Sequence, residues 1–417
     1  MFDLDRFQEI WVTITRNKVR SFLTGFGVFW GIFMLMIMLG AGTGLQNGML
    51  DQLEGFATNS CFFWSDVTNE PYQGLQKGRS WNMRNSDVEI LKQSVSELDC
   101  LSPMLFGGSS QNNIVYNENY GTAQIKGVYA NFNDIEGQTI KYGRFINEMD
   151  NLEERKICVM GTKVYEELFP TKDNPVGKYI RMWGIYFQVV GVVSGVSNVS
   201  IGGRSAESVF IPFKTLQKVI NQGDIIHFLG ATAKPNIPVS KMETKIKEIL
   251  RLNNHIAPTD EQAVGSINLE NQFNMFKYLF LGIAIVIWIV GSGTLIAGII
   301  GVSNIMLVTV KERTKEIGIR RALGAKPRTI IGQIMWESLV LTAIAGILGL
   351  CLGILCLYLV DTYWLQDAEN MFISNPMVSF STAITSTIIL LFFGFIAGMI
   401  PAARAMQIKA IEAIQEE

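Results

Sequence analysis

The residues that could do chemistry are few in this 417-residue chain, and their spacing indicates no catalytic centre. The two histidines, His227 and His255, fall in different predicted elements, and neither has a cysteine or carboxylate at metal-ligand spacing. The sequence contains neither a phosphate-binding G-x-x-x-x-G-K-[ST] loop nor a G-x-S-x-G nucleophile motif. We therefore expect no catalytic residue, no metal and no cofactor bound by this chain.

The five cysteines fall into two groups. Cys61, Cys100 and Cys158 lie between the first two long apolar segments, and an odd number of cysteines can form one disulfide at most and leave a spare. Buried free thiols are the favoured interpretation, with one disulfide as the alternative. Cys351 and Cys356 lie in an apolar segment and are interpreted as packing residues.

The most unusual feature is a charged stretch, Thr309 to Thr329, that lies between two strongly apolar segments. It holds seven Lys/Arg and two Glu. From Val310 to Leu323 the pattern predicts a helix, since Glu316 precedes Arg320 by four residues. Gly324 could supply a left-handed C-terminal cap, and Pro327 follows it. Ile317, Ile319 and Leu323 are expected to form an apolar side that a partner protein or the membrane surface covers.

Four apolar segments are each long enough to cross a bilayer. Hydrophobic residues make up 48% of the chain, charged residues only 17%, and the mean hydropathy is +0.25, which is typical of membrane proteins. Because a spanning helix needs about 20 apolar residues, we predict transmembrane helices at 21–45, 279–308, 330–360 and 379–401. The net charge of −2 gives no indication of a nucleic-acid partner.

The first 20 residues precede the first apolar segment, which is too long for a signal peptide and is expected to stay as an anchor. Leu4, Phe7, Trp11 and Ile14 would share one helical face, so residues 1–20 are predicted to form a cytoplasmic amphipathic helix at the membrane surface. An ordinary extension of the first membrane helix is the alternative.

The distribution of basic residues predicts the orientation of the chain. Segments 1–20, 311–328 and 402–417 hold four, seven and two Lys/Arg, whereas 361–377 holds none. Because cytoplasmic flanks carry the excess of Lys/Arg, we expect both termini and the charged stretch to face the cytoplasm. Residues 361–378 then form a short outer loop, 402–417 a cytoplasmic tail, and 46–276 one large extracytoplasmic domain.

The extracytoplasmic domain is expected to be α+β. Strand-like runs lie at 61–67, 123–130, 156–161, 178–194, 208–213 and 225–233, and helix-like runs lie at 85–95 and 238–254. This order suggests a split α/β unit formed by 55–130 and 208–268, into which a β-rich subdomain of 131–207 is inserted.

The resemblance of this chain to a known family is strongest at residues 301–341, GVSNIMLVTVKERTKEIGIRRALGAKPRTIIGQIMWESLVL. This run is similar to the core of the FtsX/MacB superfamily of ABC transporter permeases. The matching positions are Asn304 to Val308, Glu312, Arg313, Glu316 to Arg320, Ala322 to Lys326 and Glu337. The C-terminal run also resembles the family's ending, at Gly398, Pro401, Ala402, Ala405, Ile408, Ile411, Glu412 and Ala413, but Ala410 stands where the family usually has Pro.

The resemblance implies a permease whose two chains pair as a homo- or heterodimer, each docking a cytoplasmic ATPase through the helix between spans 2 and 3. It implies mechanotransmission, in which ATP hydrolysis moves the outer domain to export or extract a substrate. MacB carries its ATPase at its N-terminus and this sequence has none, so a separate ATPase that binds ATP and Mg²⁺ is implied. The resemblance also allows three further partners, which are a periplasmic adaptor, an outer-membrane channel and membrane lipid. It implies that the protein lies in a bacterial inner membrane. The alternatives are a lipoprotein-releasing permease, an FtsX-like regulator of a cell-envelope enzyme, and an anchored receptor that works without an ATPase.

Three sets of candidate site residues follow. The first is the coupling helix, 309–329, for ATPase docking: Lys311, Glu312, Arg313, Glu316, Ile317, Gly318, Arg320, Arg321, Leu323, Gly324, Ala325 and Lys326. The second consists of small residues for membrane-helix packing, either between chains or within one: Gly27, Gly31, Gly301, Gly349, Gly353, Gly394 and Gly398. The third is Glu337, an intramembrane charge that could act directly or pair with a basic residue of 311–328.

Overall fold

The structure, a computed structural model, describes residues 18–51, 54–108, 112–171, 173–195, 202–365 and 373–407. Most of the predicted amphipathic segment 1–20 and of the tail 402–417 therefore lies outside the described residues. The chain divides into two compact units, a helical unit of 1–49 with 278–417 and an outer unit of 50–277.

The described part of the chain contains eleven α-helices, the longest of which lie toward the two ends of the chain. In chain order they are α1 (Lys18–Asp51), α2 (Asn85–Ser94), α3 (Phe132–Ile135), α4 (Glu148–Leu152), α5 (Thr162–Leu168), α6 (Phe213–Val219), α7 (Val239–Asn253), α8 (Leu269–Glu312), α9 (Thr314–Ala322), α10 (Pro327–Val360) and α11 (Phe380–Gln407).

The strands lie in the outer unit. They are β1 (Ser60–Ser65), β2 (Met83–Arg84), β3 (Leu98–Phe106), β4 (Asn112–Tyr116), β5 (Asn119–Val128), β6 (Gln138–Gly143), β7 (Ile157–Gly161), β8 (Tyr179–Met182), β9 (Ile185–Gly195), β10 (Ser208–Pro212), β11 (Ile225–Ile226), β12 (Phe228–Ala233) and β13 (Val264–Asn268).

Four of the helices are long and apolar enough to cross a membrane: α1, α8, α10 and α11. They contain the four predicted spans except for residue 379, and the outer unit lies in sequence between the first and the second. The predicted fold class, four membrane helices with a large α+β domain inserted after the first, is confirmed.

Small residues allow the helices of the helical unit to approach closely. A Cβ added to Gly27 would lie 3.2 Å from the Cα of Gly298, and one added to Gly349 would lie 2.5 Å from the carbonyl oxygen of Phe29. Of the predicted packing glycines, six lie against another helix of the same chain: Gly27, Gly31, Gly349, Gly353, Gly394 and Gly398. The seventh, Gly301, has no heavy atom of the described chain within 4 Å of an added Cβ.

One half of the outer unit is a four-stranded antiparallel sheet in the order β3-β12-β1-β13. Because α2 connects β1 to β3 and α7 connects β12 to β13, this is a split β-α-β-β-α-β arrangement. Both faces of the sheet are buried. Along β1, Phe62 packs into one apolar cluster, and its neighbours Cys61 and Phe63 pack into another.

The other half is a closed barrel of six strands, β10-β7-β9-β8-β4-β5, in which β5 pairs back with β10. The β10–β5 and β7–β9 pairs are parallel, and the remaining pairs are antiparallel. This differs from the predicted insertion boundary of 131–207. Strands β4, β5 and β10 lie outside that range, yet the barrel closes only through the hydrogen bonds that these strands make with each other and with β7 and β8.

A buried carboxylate holds the turn before β7. The side chain of Asp150, on α4, has no exposed surface and lies 2.6 Å from Nη1 of Arg144 and 3.3 Å from Nη1 of Arg155. It also accepts a hydrogen bond from the backbone N–H of Asn147. Burial by itself raises the pKa of this carboxyl. The hydrogen bonds from Arg144 and Asn147 and the nearby charge of Arg144 together lower the pKa by more than burial raises it, so the pKa lies below its usual value.

We expect Asp150→Asn to destabilise the outer unit by about 1–3 kcal/mol at neutral pH, because two guanidinium groups lose their charged partner. A carboxyl with a lowered folded-state pKa contributes stability above its unfolded pKa of about 3.9 and loses it as the pH falls further. The difference between the two proteins should therefore be constant from about pH 5 to 7 and shrink below about pH 4. Thermal unfolding at several pH values measures it, with the exposed Glu118→Gln as the control. A pH-independent difference would contradict this role.

Candidate coupling site

The charged stretch begins with a bend, whereas the sequence predicted one helix from Val310 to Leu323. Helix α8 ends at Glu312, and α9 begins at Thr314. The hydroxyl of Thr314 donates to the carbonyl oxygens of Val310 and Lys311, at 3.3 and 2.7 Å. Arg313, between the two helices, has φ −95° and ψ 11° and so leaves the regular helical conformation.

The end of α9 agrees with the prediction that Gly324 forms a left-handed cap. Gly324 has φ +94°, its N–H donates to the carbonyl of Arg321, and the N–H of Ala325 donates to the carbonyl of Arg320. These two bonds define a Schellman motif. Pro327 then lies in the first turn of α10, where its fixed φ suits a helix start.

Glu337 is buried in α10 and forms an ion pair with the charged stretch. Its Oε2 lies 3.4 Å from Nη1 of Arg313, the residue at the bend, and only 8% of its side chain is exposed. Of the two alternatives for Glu337, the structure therefore contains the pairing with a basic residue. A cleft lined by residues of α8, α9 and α10, among them Met306, Ile317 and Gln333, surrounds this pair.

The two arginines near the end of α9 make contacts within the chain. Arg320 lies 2.8 Å from Glu316, the predicted i,i+4 pair, and also donates to the side-chain oxygen of Gln333 at 2.9 Å. Arg321 donates to the backbone carbonyl of Met406, on α11, at 3.1 Å. Both arginines thus connect α9 to other membrane helices, a role that the linear sequence did not reveal.

The three apolar residues of α9 do not share one face, contrary to the prediction of a single apolar side. Ile317 is only 8% exposed and packs in the core of the helical unit, whereas Ile319 and Leu323 are 47% and 83% exposed. Residues two apart on a helix point in nearly opposite directions, which explains the difference. The other predicted residues divide between exposed positions, Lys311, Glu312 and Lys326, a half-buried Ala325 and a buried Gly318.

His227 is held by a hydrogen bond to the backbone, and the three cysteines of the outer unit are free thiols. Nδ1 of His227 accepts a hydrogen bond from the backbone N–H of Phe106, and burial lowers the pKa of the imidazole. Cys61 and Cys158 are buried free thiols whose pKa burial raises, and burial together with nearby acids raises the pKa of Cys100 to about 11. Thiolates are therefore disfavoured at all three.

Comparisons with known families cover both units. Residues 21–249 match the model of the MacB-like periplasmic core domain, and residues 288–410 match the FtsX-like permease C-terminal model. The first match alone covers more than half of the chain, and the second includes the whole of α9. The chain belongs to the MacB-like family of ABC transporter permeases.

Relatives of this MacB-like permease include two export proteins. The macrolide export ATP-binding/permease protein MacB of Bdellovibrio bacteriovorus is 27% identical over 99% of this chain and 62% of the relative. The pyoverdine export ATP-binding/permease protein PvdT of Pseudomonas fluorescens is 26% identical over 99% of this chain and 60% of the relative. The chain thus spans about three fifths of the length of these relatives.

One of the solved structures that are similar to this chain comes from a MacB protein. The periplasmic region of MacB from Actinobacillus actinomycetemcomitans has a TM-score of 0.43 and 20% sequence identity, covering 55% of this chain and 97% of that one.

We expect Gly324→Val to loosen the end of α9. An added side chain would meet open space there, so the penalty is the left-handed backbone alone, about 1–2 kcal/mol. Hydrogen exchange of the α9 amides should become about tenfold faster or more. The control is Gly332→Val, which is also in open space but inside α10, where no positive φ is required. Equal exchange in the two variants would contradict the role of the cap.

Proposed function

We propose that this chain is the permease subunit of a MacB-like ABC transporter, in which a separate cytoplasmic ATPase drives movements of the outer unit. The observation that carries this proposal is the two-sided arrangement of α9. Its inward residues, Arg313, Ile317 and Arg320, bind the membrane helices, while Leu323 stays exposed at the end that carries most of the positive charge. A docked ATPase would press on the outer side of α9 and thereby on α8 and α10.

The proposed orientation places α9 and both termini in the cytoplasm and the outer unit in the periplasm, in a bacterial inner membrane. Its support is the charge distribution. Segments 1–20, 311–328 and 402–417 carry Lys/Arg, whereas 361–377 carries none. An ATPase needs cytoplasmic ATP, so this orientation and the docking role of α9 depend on each other.

The proposed activity is export or extraction of a substrate on the outer side by mechanotransmission. Two relatives are named as exporters of macrolides and of pyoverdine, which favours export for this chain as well. A second permease chain would complete the transporter, and a periplasmic adaptor and outer-membrane channel would extend its path. A lipoprotein-releasing permease is the alternative within the same class, and an FtsX-like regulator of an envelope enzyme is the alternative outside it.

The ATPase-docking role predicts that Leu323→Glu weakens the complex with the ATPase. Leu323 is 83% exposed, so its replacement leaves the packing of the helical unit unchanged while placing a charge in an apolar contact. We expect the amount of ATPase that co-purifies from native membranes in mild detergent to fall about tenfold or more. ATPase activity of the purified sample should fall in parallel.

The matched control is Thr329→Glu, which adds the same charge in the first turn of α10, where a helix tolerates an acid well. It should retain the ATPase. Arg320→Glu with Arg321→Glu, a double variant that the sequence alone would suggest, is less informative because both arginines also bind other helices. If wild-type protein purifies as an intact dimer without any P-loop ATPase, the transporter proposal fails and the receptor interpretation gains support.

A further inference from the structure

One outward face of the barrel is open in the described part of the chain. It is formed by four neighbouring strands, β5, β4, β8 and β9. Successive side chains along a strand point to opposite sides of the sheet. Ile114, Ile180 and Phe187 are completely buried in the core, so the residues next to them point outward. These outward residues are exposed or half-buried, and none of the roles above uses them.

Three tyrosines and an arginine form a row across this face. Val115 lies opposite Tyr120 on one side and opposite Arg181 on the other. Tyr186, on the next strand, lies opposite Arg181. Tyr179 lies two residues before Arg181 on β8 and so points to the same side. With strands about 4.8 Å apart, Tyr120 and Tyr186 are about 14 Å apart across the sheet. These five residues form the tyrosine row.

The rings of the tyrosine row expose much of their surface. The exposed fraction is 83% for Tyr120, 55% for Tyr179 and 61% for Tyr186. None of the three rings stacks on another described ring, and none of the three hydroxyls forms a hydrogen bond with a described residue. Tyr116, by contrast, points inward and packs on Phe169, with 4.2 Å between ring centroids. The row therefore offers both ring faces and hydroxyl groups to a ligand.

Arg181 is the charged residue of the row. Its side chain is exposed and makes no ion pair with a described residue. The outward residues around the row, Asn113 on β4, Thr122 on β5 and Gln188 on β9, are polar and uncharged. One acid, Glu118, lies in the turn between β4 and β5 at the end of the face. The charge of Arg181 therefore favours an occupant with an anionic group, and the neutral side chains favour one rich in hydroxyl or amide groups.

The size and shape of the face decide between the possible occupants. The row and its neutral neighbours cover roughly 200–300 Å², whereas a stable interface between two proteins buries about 800 Å² on each side. A two-fold contact between copies would also bring Arg181 close to its own equivalent, and like charges repel. A drug-sized molecule needs a concave site that buries most of its surface, and a sheet face covers only one side of it. Single-stranded nucleic acid needs a positively charged groove, which one arginine does not supply.

We propose that the tyrosine row binds the glycan strand of the bacterial cell wall. Such a strand is a linear polymer of amino sugars, whose flat C–H faces stack on aromatic rings and whose edges carry hydroxyl and acetamido groups. Tyr120, Tyr179 and Tyr186 would stack on sugar rings, and Arg181 would pair with a lactyl carboxylate of the strand. The proposed periplasmic position of the outer unit gives the polymer access to this face. The binding needs neither an ATPase nor transport, so it goes beyond the proposed function.

The test is a calorimetric titration of the full-length protein in detergent, without nucleotide or partner. The acidic probe is a wall tetrasaccharide released by muramidase and stripped of its stem peptides, which leaves its lactyl carboxylates free. The neutral probes are chitotetraose and chitobiose. We expect the acidic tetrasaccharide to bind best and chitotetraose to bind about fivefold more weakly, because chitotetraose offers no carboxylate to Arg181. Chitobiose spans only part of the row, so its binding should be about tenfold weaker again.

Two variants of the row separate stacking from charge. Tyr120→Thr with Tyr186→Thr removes two rings and keeps residues that suit a strand, and it should weaken both tetrasaccharides about tenfold or more. Arg181→Gln should abolish the preference for the acidic tetrasaccharide and leave the binding of chitotetraose unchanged. The control is Leu252→Ala with Lys77→Gln, which changes an exposed apolar residue and an exposed cation elsewhere in the outer unit. It should bind all three probes as the wild type does.

Three results of the titration would overturn the proposal. They are no binding of the acidic tetrasaccharide at millimolar concentration, equal binding of the acidic and neutral tetrasaccharides, or equal effects of the row and control variants. Thermal midpoints equal to that of the wild type show that each variant is folded. If the double tyrosine variant unfolds, Tyr120→Thr alone replaces it, because Tyr120 is the most exposed of the three tyrosines.

A protein occupant of the face is distinguished by surface labelling of tyrosines. Full-length protein is labelled alone and in the complex isolated from native membranes, and labelling of Tyr120, Tyr179 and Tyr186 is compared by mass spectrometry. Protection by the acidic tetrasaccharide supports the proposal. Protection only in a dimer, or only with another co-purified protein, identifies a protein interface and overturns it. Neither result depends on an ATPase, so failure here differs from failure of the transporter proposal.

Discussion

The hydrocarbon core of a membrane offers no hydrogen-bond partner to a peptide group, and the organisation of this permease depends on that constraint. Each apolar segment must satisfy its own backbone as a helix, so charged residues are confined to the connections between helices. Within the helical unit, burial between helices gains little from the hydrophobic effect, because lipid is as apolar as leucine. Close backbone approach, as at Gly27 and Gly298 or at Gly349 and Phe29, supplies the packing instead.

The charged stretch illustrates what happens where this constraint ends. At Arg313 the chain leaves α8, and from there on polar side chains make ion pairs and hydrogen bonds with the neighbouring helices. Arg313 leaves the helical conformation and forms an ion pair with the buried Glu337, and Arg320 donates a hydrogen bond to Gln333. A buried carboxylate would be costly without such a partner. The same few residues therefore hold α9 against α10, while Ile319 and Leu323 stay exposed.

The outer unit follows different rules because water surrounds it. Its split sheet is covered on both faces, and its barrel closes through two parallel and four antiparallel pairings, so that the barrel strands have no free edges. The buried carboxylate of Asp150 is paired with two arginines, Arg144 and Arg155.

The sequence by itself determined the four membrane helices, the charged element after the second, its glycine cap and the family. All of these depend on local composition, or on residues within a few positions of one another. It also indicated most strands of the outer unit, although β2, β3, β4, β6 and β13 lie outside the predicted runs and the barrel boundary was misplaced. Only the tertiary structure decided that Arg321 reaches Met406, that Arg313 pairs with Glu337, that Ile317 faces inward, and that β5 closes onto β10. Each of these joins residues that are distant in the chain or depends on which side of a helix is covered, and neither property is encoded in local spacing.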